Sequence, residues 1–226
     1  YLFRDRTMSL ATISSALIGV AMFGSTVYLS QYFQLARGMS PTKAGLMTVA
    51  MVVPLMVSSL ISGKVITRTG VWKRWLVGGM VLVVAAMVLL GTIDESTHLV
   101  VVGLFMAVLG LGMGATMQNL VLAVQNNVPL HQLGAASSVV AFFRSMGGSA
   151  GVSVLGAILG TQVADKVAAG YQAAQRPPSV DFGSHAIPDL GALPGWEAGI
   201  WEHGFGASIG ELYLIAAPAA FLAFLC

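Results

Sequence analysis

A single arginine, Arg144, stands within VVAFFRSMGGSAGVSVLGAILG, residues 139–160, a run that carries no other charge. A guanidinium stays protonated in proteins, so the segment cannot escape the cost of burial by giving up the charge. At the centre of a membrane-spanning helix an arginine costs about 2.5–3.5 kcal/mol on insertion scales. It is tolerated when it faces a bundle interior or a water-filled cavity, and such residues mark substrate and ion pathways. Helical spacing sets Ser137, Ala141, Gly148 and Gly151 on the same face. All of these companions are small. The preceding apolar segment offers a matching stripe of Gly103, Ala107, Gly110, Gly114 and Gln118. If the two segments form a hairpin turning near His131, Gln118 and Arg144 lie thirteen residues either side of the turn. The expectation is that Arg144 is held by a side-chain oxygen of Gln118 or Asn119, or by a freed backbone carbonyl. Gly114 then lies near Gly148. Two roles stay open for the arginine: a lock between helices, or a part in substrate passage. The GxxxG pairs Gly147/Gly151 and Gly156/Gly160 read first as packing.

Other chemistry is sparse. There is no HExxH, no P-loop and no pair of membrane-embedded aspartates. His98, His131, His185 and His203 are scattered without metal-ligand spacing, so no catalytic centre, metal site or cofactor is expected. Glu211 is a candidate proton carrier if the last helix begins early, and a solvated residue otherwise. The one cysteine, Cys226, allows no internal disulfide. A net charge of +2 gives no footprint for nucleic acid.

The elements that must position these residues follow from composition. Hydrophobic residues make up 56% of the chain, charged residues only 9%, and the mean hydropathy is +0.82. Soluble domains carry roughly 25% charged residues, so most of this surface must face lipid. A span needs about 20 mostly apolar residues. Gaps between charges place helices over 9–34, 44–63, 75–92, 98–124, 135–160 and 209–226. The break at QNNVPLHQLG carries Pro129 and Gly134 as turn residues. Residues 161–206, rich in proline, glycine and acids, read as an aqueous loop with a short amphipathic helix at TQVADKVAAGYQAAQ. The fold class is therefore an all-α membrane protein, a six-helix transmembrane bundle. Lys and Arg near the helix ends set orientation. Arg4, Arg6, Lys64, Arg68, Lys73 and Arg74 fall on one side, against Arg37, Lys43, Lys166 and Arg176 on the other. The dense 64–74 loop and the N-terminus are expected in the cytoplasm and the 161–206 loop outside, with the chain multi-pass in an inner (cell) membrane. The chain opens at Tyr1 and stops inside an apolar run. It is expected to be a piece of a longer protein.

Two loops carry a family likeness. YLSQYFQLARGMSPTKAG, between the first and second helices, resembles the YLQ…G-x-S-P-x-x-A-G signature of major facilitator drug antiporters, with Gln31, Gly38, Ser40, Pro41, Ala44 and Gly45 as the matching residues. GKVITRTGVWKR is similar to the facilitator loop G-x-L-x-D-R-x-G-R-K: Gly63, Arg68 and Gly70 match, Lys73 and Arg74 are slightly displaced, and Thr67 replaces the aspartate. In that motif Gly63 and Gly70 would permit a tight turn, while Arg68 meets a neighbouring helix end or acid. GLGMGATMQNLVLAVQNNVPLHQLGAASSVVAFFRSMGGSAG looks like the fourth and fifth helices of the C-terminal half in the fourteen-helix drug:H+ antiporters of the EmrB/QacA type. The resemblance implies the C-terminal half of a proton-coupled multidrug exporter working by alternating access. Its partners would be the lipid bilayer, a missing N-terminal half, amphipathic or cationic drug-like substrates, and protons. The competing reading is a non-transporting membrane scaffold or subunit that binds another membrane chain.

Overall fold

The structure is a computed structural model and describes residues 6–126, 128–175, 190 and 193–225. Within them the chain is helical almost throughout. α1 (Arg6–Gln31) runs on into a π turn at Tyr32–Ala36; a short α2 (Pro41–Met47) leads into α3 (Val49–Thr69). α4 (Lys73–Leu90), α5 (Leu99–Gln125), α6 (Leu133–Ala174) and α7 (Gly195–Leu225) follow, with a 3-10 turn at Leu130–Gln132 before α6. Among the described residues, six stretches are long and apolar enough to cross a membrane, α2 and α3 together forming the second, Pro41–Thr69.

The punctuation has local causes. After the π turn the chain needs a left-handed residue, and Gly38 supplies it at φ +58. Pro41, pre-set for helix, then opens α2 behind an extended Ser40. α3 ends on Gly70 at φ +69, whose N–H donates to the Ile66 carbonyl at 2.8 Å, a left-handed cap. Gly63 is not a turn residue: it lies inside α3, which continues past it to Thr69 and ends only at the left-handed Gly70.

α1 sits in the middle of the bundle, packed against α6, α7 and α5; α3 lies on α5, and α4 bridges α5 and α7. The core between them holds Leu29, Tyr32, Phe33, Met87, Leu90, Met106, Leu109 and Ile209, all buried. α3 turns Val52, Val53, Met56, Val57, Leu60 and Ile61 outward, a face suited to acyl chains.

The 161–206 segment departs from the expected loop. α6 continues past residue 160 to Ala174, and α7 starts at Gly195 rather than near 209. Val163, Val167 and Tyr171, spaced four apart, are buried, which gives the extension an apolar stripe to dock on α7. Gly170 meets Ile200, and Gly204 meets Val167. Charges mark where a helix leaves lipid, but they do not oblige it to stop. Arg176, Pro177, Pro178, His185 and Pro188 lie outside the described residues, as does Arg4.

The described acids Asp94, Glu95, Asp165, Glu197, Glu202 and Glu211 are confined to one end of the bundle, where Arg37 and Lys166 meet them. Lys64, Arg68, Lys73 and Arg74 lie at the other. At the acidic end Tyr32 donates to the Asp94 carbonyl at 2.6 Å and Arg37 donates to the Glu95 carbonyl. The Glu95 carboxylate pairs with His203 at 2.7 Å. Hydrogen bonds from Ser96 and Thr97 hold the Asp94 carboxyl below its ordinary range.

Candidate functional site

Arg144 lies at the crossing of α6 and α1. Its Nε donates to the Ser15 hydroxyl at 3.3 Å. Ser15 is wholly buried and its hydroxyl donates to the Val140 carbonyl at 3.0 Å, so one hydroxyl ties both the guanidinium and the α6 backbone to α1. The Nη2 of Arg144 is buried without a hydrogen-bond partner.

The crossing is close because it lacks side chains. A Cβ on Gly19 would stand 3.0 Å from the Arg144 carbonyl carbon, nearer still to its oxygen, and 3.1 Å from the Gly148 nitrogen. One on Gly147 would stand 2.8 Å from the Ala16 Cα. Phe23 fills the space over Gly148, and Val20 that over Gly151. The small face of α6 therefore receives α1. It does not receive α5, and the expected Gln118–Arg144 pair does not form. Gln118 is exposed, on a stripe with Leu104 and Leu111, and Leu111 lines an opening between α3 and α4. Asn119 is wholly buried on α5; its amide donates to Ala115 of the same helix, and its Oδ1 has no partner. Gly110 and Gly114 face α3, where a Cβ would stand 3.2 Å and 3.0 Å from Leu55 backbone atoms. The α5–α6 hairpin meets only near its turn, where Gln125 donates to the Ser137 hydroxyl at 3.1 Å. In lipid no hydrophobic drive holds chain neighbours together, and backbones that can approach most closely win. Ser15, Ala16 and Gly19 give α1 that surface, a run of small residues that the sequence carries as plainly as the stripes of the hairpin.

Beside Arg144, α6 exposes Ala141, Ser145, Ser149 and Ser153 at four-residue spacing, where α3 exposes large aliphatic residues. A groove of about 730 Å³ opens further along, between α1, α6 and α7, lined by Tyr28, Gln31, Gly156, Gly160, Trp201 and Phe205.

The other motif residues are spread over the two ends. Ala44 is buried while Gly45 meets open space. Arg68 is exposed in the last turn of α3, with no ion pair among the described residues. Thr67, in the place of the motif aspartate, donates to the Gly63 carbonyl of its own helix. Lys73 lies 5.6 Å above the Trp72 ring, and Arg74 borders the α3–α4 opening. Glu211 is neither lone nor simply solvated: it pairs with Lys166 at 2.8 Å. Sequence reasoning missed the wholly buried Glu197, which accepts from the Tyr171 hydroxyl, itself an acceptor for the Trp201 indole at 3.2 Å. No sequence signal joins these residues, since a long connection separates Tyr171 from Glu197.

Residues 1–152 match the family model described as Major Facilitator Superfamily. The chain is 33% identical over 159 residues to the multidrug transporter protein MdtP of Bacillus subtilis, covering 70% of this chain and 29% of that protein. It is 26% identical over 237 residues to the tetracenomycin C resistance and export protein of Streptomyces glaucescens, covering 98% of this chain and 44% of that one. A solved bacterial homolog of the human lysosomal transporter Spinster, inward-facing and occupied, shares the fold with a TM-score of 0.65 at 13% identity, over 97% of this chain and 48% of that one. The chain thus spans less than half the length of each of these proteins.

Proposed function

Because the chain belongs to the Major Facilitator Superfamily, we propose that it forms the C-terminal six-helix half of a fourteen-helix, proton-coupled exporter of amphipathic drug-like compounds. The two halves would rock about a passage near the bilayer midplane, with the basic 64–74 end in the cytoplasm and an inner membrane as the site of action. Multidrug and antibiotic export is what the printed names of the relatives describe.

The observation that carries this reading is the pair of unlike outer faces. α6 exposes a stripe of Ala141, Ser145, Ser149 and Ser153 beside a half-sheltered arginine, flanked by Phe142, Met146 and Val154, whereas over residues 52–61 every exposed α3 side chain is large and aliphatic. An intramembrane cation on a polar face is a pathway residue by default. Arg144 would line the passage with Ser145 and Ser149, while Ser15 aims it and Gly148 and Gly151 seat α6 on α1. Gln118, exposed on α5, and the buried Asn119, bonded within its own helix, do not join that lining. Gly63, Arg68, Gly70, Lys73 and Arg74 would form the cytoplasmic gating loop, and the Gly38–Pro41 turn would fix the outer end of the first helix.

The test is substitution of Arg144 by Lys and by Ala in the full-length protein. Lost drug efflux at unchanged expression supports the passage role; lost expression alone would return Arg144 to a helix lock and favour a scaffold. Proton coupling is assigned mainly to the other half, so residues 1–226 reconstituted alone should give no proton-driven efflux.

A further inference from the structure

α4 opens with Trp72-Lys73-Arg74-Trp75, and each basic residue stands at the mouth of an apolar opening. On one side, a groove of about 390 Å³ between α1, α4, α5 and α7 has Trp72 and Lys73 at its rim. Its walls are Leu76, Met80, Ala11, Leu120 and Ala123. On the other, an opening of about 440 Å³ between α3, α4 and α5 has Arg74 and Trp75 at its rim, with Gly78 and Leu82 deeper along the helix. From Lys73 to Met80 the first groove descends about 10 Å along α4 at 1.5 Å per residue, from the basic end into the apolar body of the bundle.

The first groove is lined mainly by aliphatic side chains, and the second is lined below its rim by Gly78, Gly79, Leu82, Leu111 and Ala115; such walls are poor hosts for water. Both mouths are cationic, and the described carboxylates are all at the opposite end. Lys73 has a neighbouring indole as its contact, not an acid. Two tryptophans mark the level of a membrane interface. A ligand that suits this arrangement has a fatty chain joined to an anionic head. Basic pockets between transmembrane helices are where acidic headgroups are held.

We propose that the start of α4 is a binding site for one anionic phospholipid. Its phosphate rests on Lys73 and Arg74 between Trp72 and Trp75, and an acyl chain lies along Leu76 and Met80. The site is independent of Arg144 and of what the protein transports.

The experiment uses the full-length protein in detergent, titrated with phosphatidylglycerol or with phosphatidylcholine of the same chains, and read by native mass spectrometry and thermal unfolding. Each basic side chain at a membrane surface is worth roughly fivefold in affinity. The unmodified protein should retain phosphatidylglycerol about 25-fold better than phosphatidylcholine, and Lys73→Gln with Arg74→Gln should abolish that preference. Met80→Trp, filling the groove floor, should weaken both lipids. Lys64→Gln with Arg68→Gln should leave most of the preference intact; an equal loss there would mean diffuse surface charge and overturn the site. So would equal retention of the two lipids by the unmodified protein. Stabilisation by inorganic phosphate alone, or a groove that takes up no lipid because protein residues fill it, overturns it as well.

Discussion

Gly19→Ala tests whether the α1–α6 crossing holds the bundle and aims Arg144. The added methyl carbon would lie 3.0 Å from the Arg144 carbonyl carbon, nearer to its oxygen, and 3.1 Å from the Gly148 nitrogen. All of these are backbone atoms, so no side chain can swing away. An ordinary carbon–oxygen contact is about 3.3–3.6 Å, so the helices must part by about 1 Å. Overpacking of this kind costs typically 1–3 kcal/mol. The same displacement stretches the Arg144–Ser15 bond from 3.3 Å and the Ser15–Val140 bond from 3.0 Å beyond hydrogen-bonding range. Interhelical bonds in membranes average about 0.6 kcal/mol each, which brings the total to roughly 2–4 kcal/mol. The control is Gly63→Ala, inside α3 with open space at its Cβ position. There alanine's better helix propensity should gain up to about 1 kcal/mol. Thermal unfolding in detergent, followed by size-exclusion of the monomer, reads both. Gly19→Ala as stable as Gly63→Ala would refute the close-crossing argument, and with it the claim that α1 positions the guanidinium.

Further outcomes follow from other contacts. Gly70→Ala forces a side chain into φ +69 and should destabilise by about 1–2 kcal/mol, seen as a lower unfolding temperature, whereas Gly45→Ala should not. Glu197→Ala removes the buried acceptor of the Tyr171 hydroxyl and leaves a void, so a loss of about 2–4 kcal/mol is expected in the same assay. Asp94 titrates low because Ser96 and Thr97 donate to it. A depressed folded-state value means its contribution is present above the ordinary value of 3.8 and fades as pH falls through the folded one. Asp94→Asn should therefore cost stability at neutral pH, and the difference from the unmodified protein should shrink below about pH 4. Lys166→Gln, breaking a part-exposed pair with Glu211, should cost under about 1 kcal/mol.

Much of the fold was legible because lipid is a demanding solvent. A backbone crossing it must satisfy its own hydrogen bonds, so charge-free runs of sufficient length had to be helices, and the six spans follow from composition. The turn glycines Gly38 and Gly70 were legible for a similar reason, since few other residues adopt positive φ. The ends of the last two helices were not. Past the membrane the signal becomes an ordinary apolar stripe, Val163, Val167 and Tyr171, whose partner lies beyond a proline-rich connection.

Within the site, sequence alone determined that Arg144 is a permanent cation in an apolar run and set the expectation that it turns toward protein, because no protonation change can relieve a guanidinium in hydrocarbon. It could not name the partner. α5 and α6 offer each other small residues, but so do α1 and α6, and α3 and α5. Spacing along one helix says which residues share a face, never which neighbour that face meets. Only the packed bundle decided it: the backbones of Gly19, Gly147 and Ala16 fit closer than any pairing across the hairpin, and Ser15 came with them.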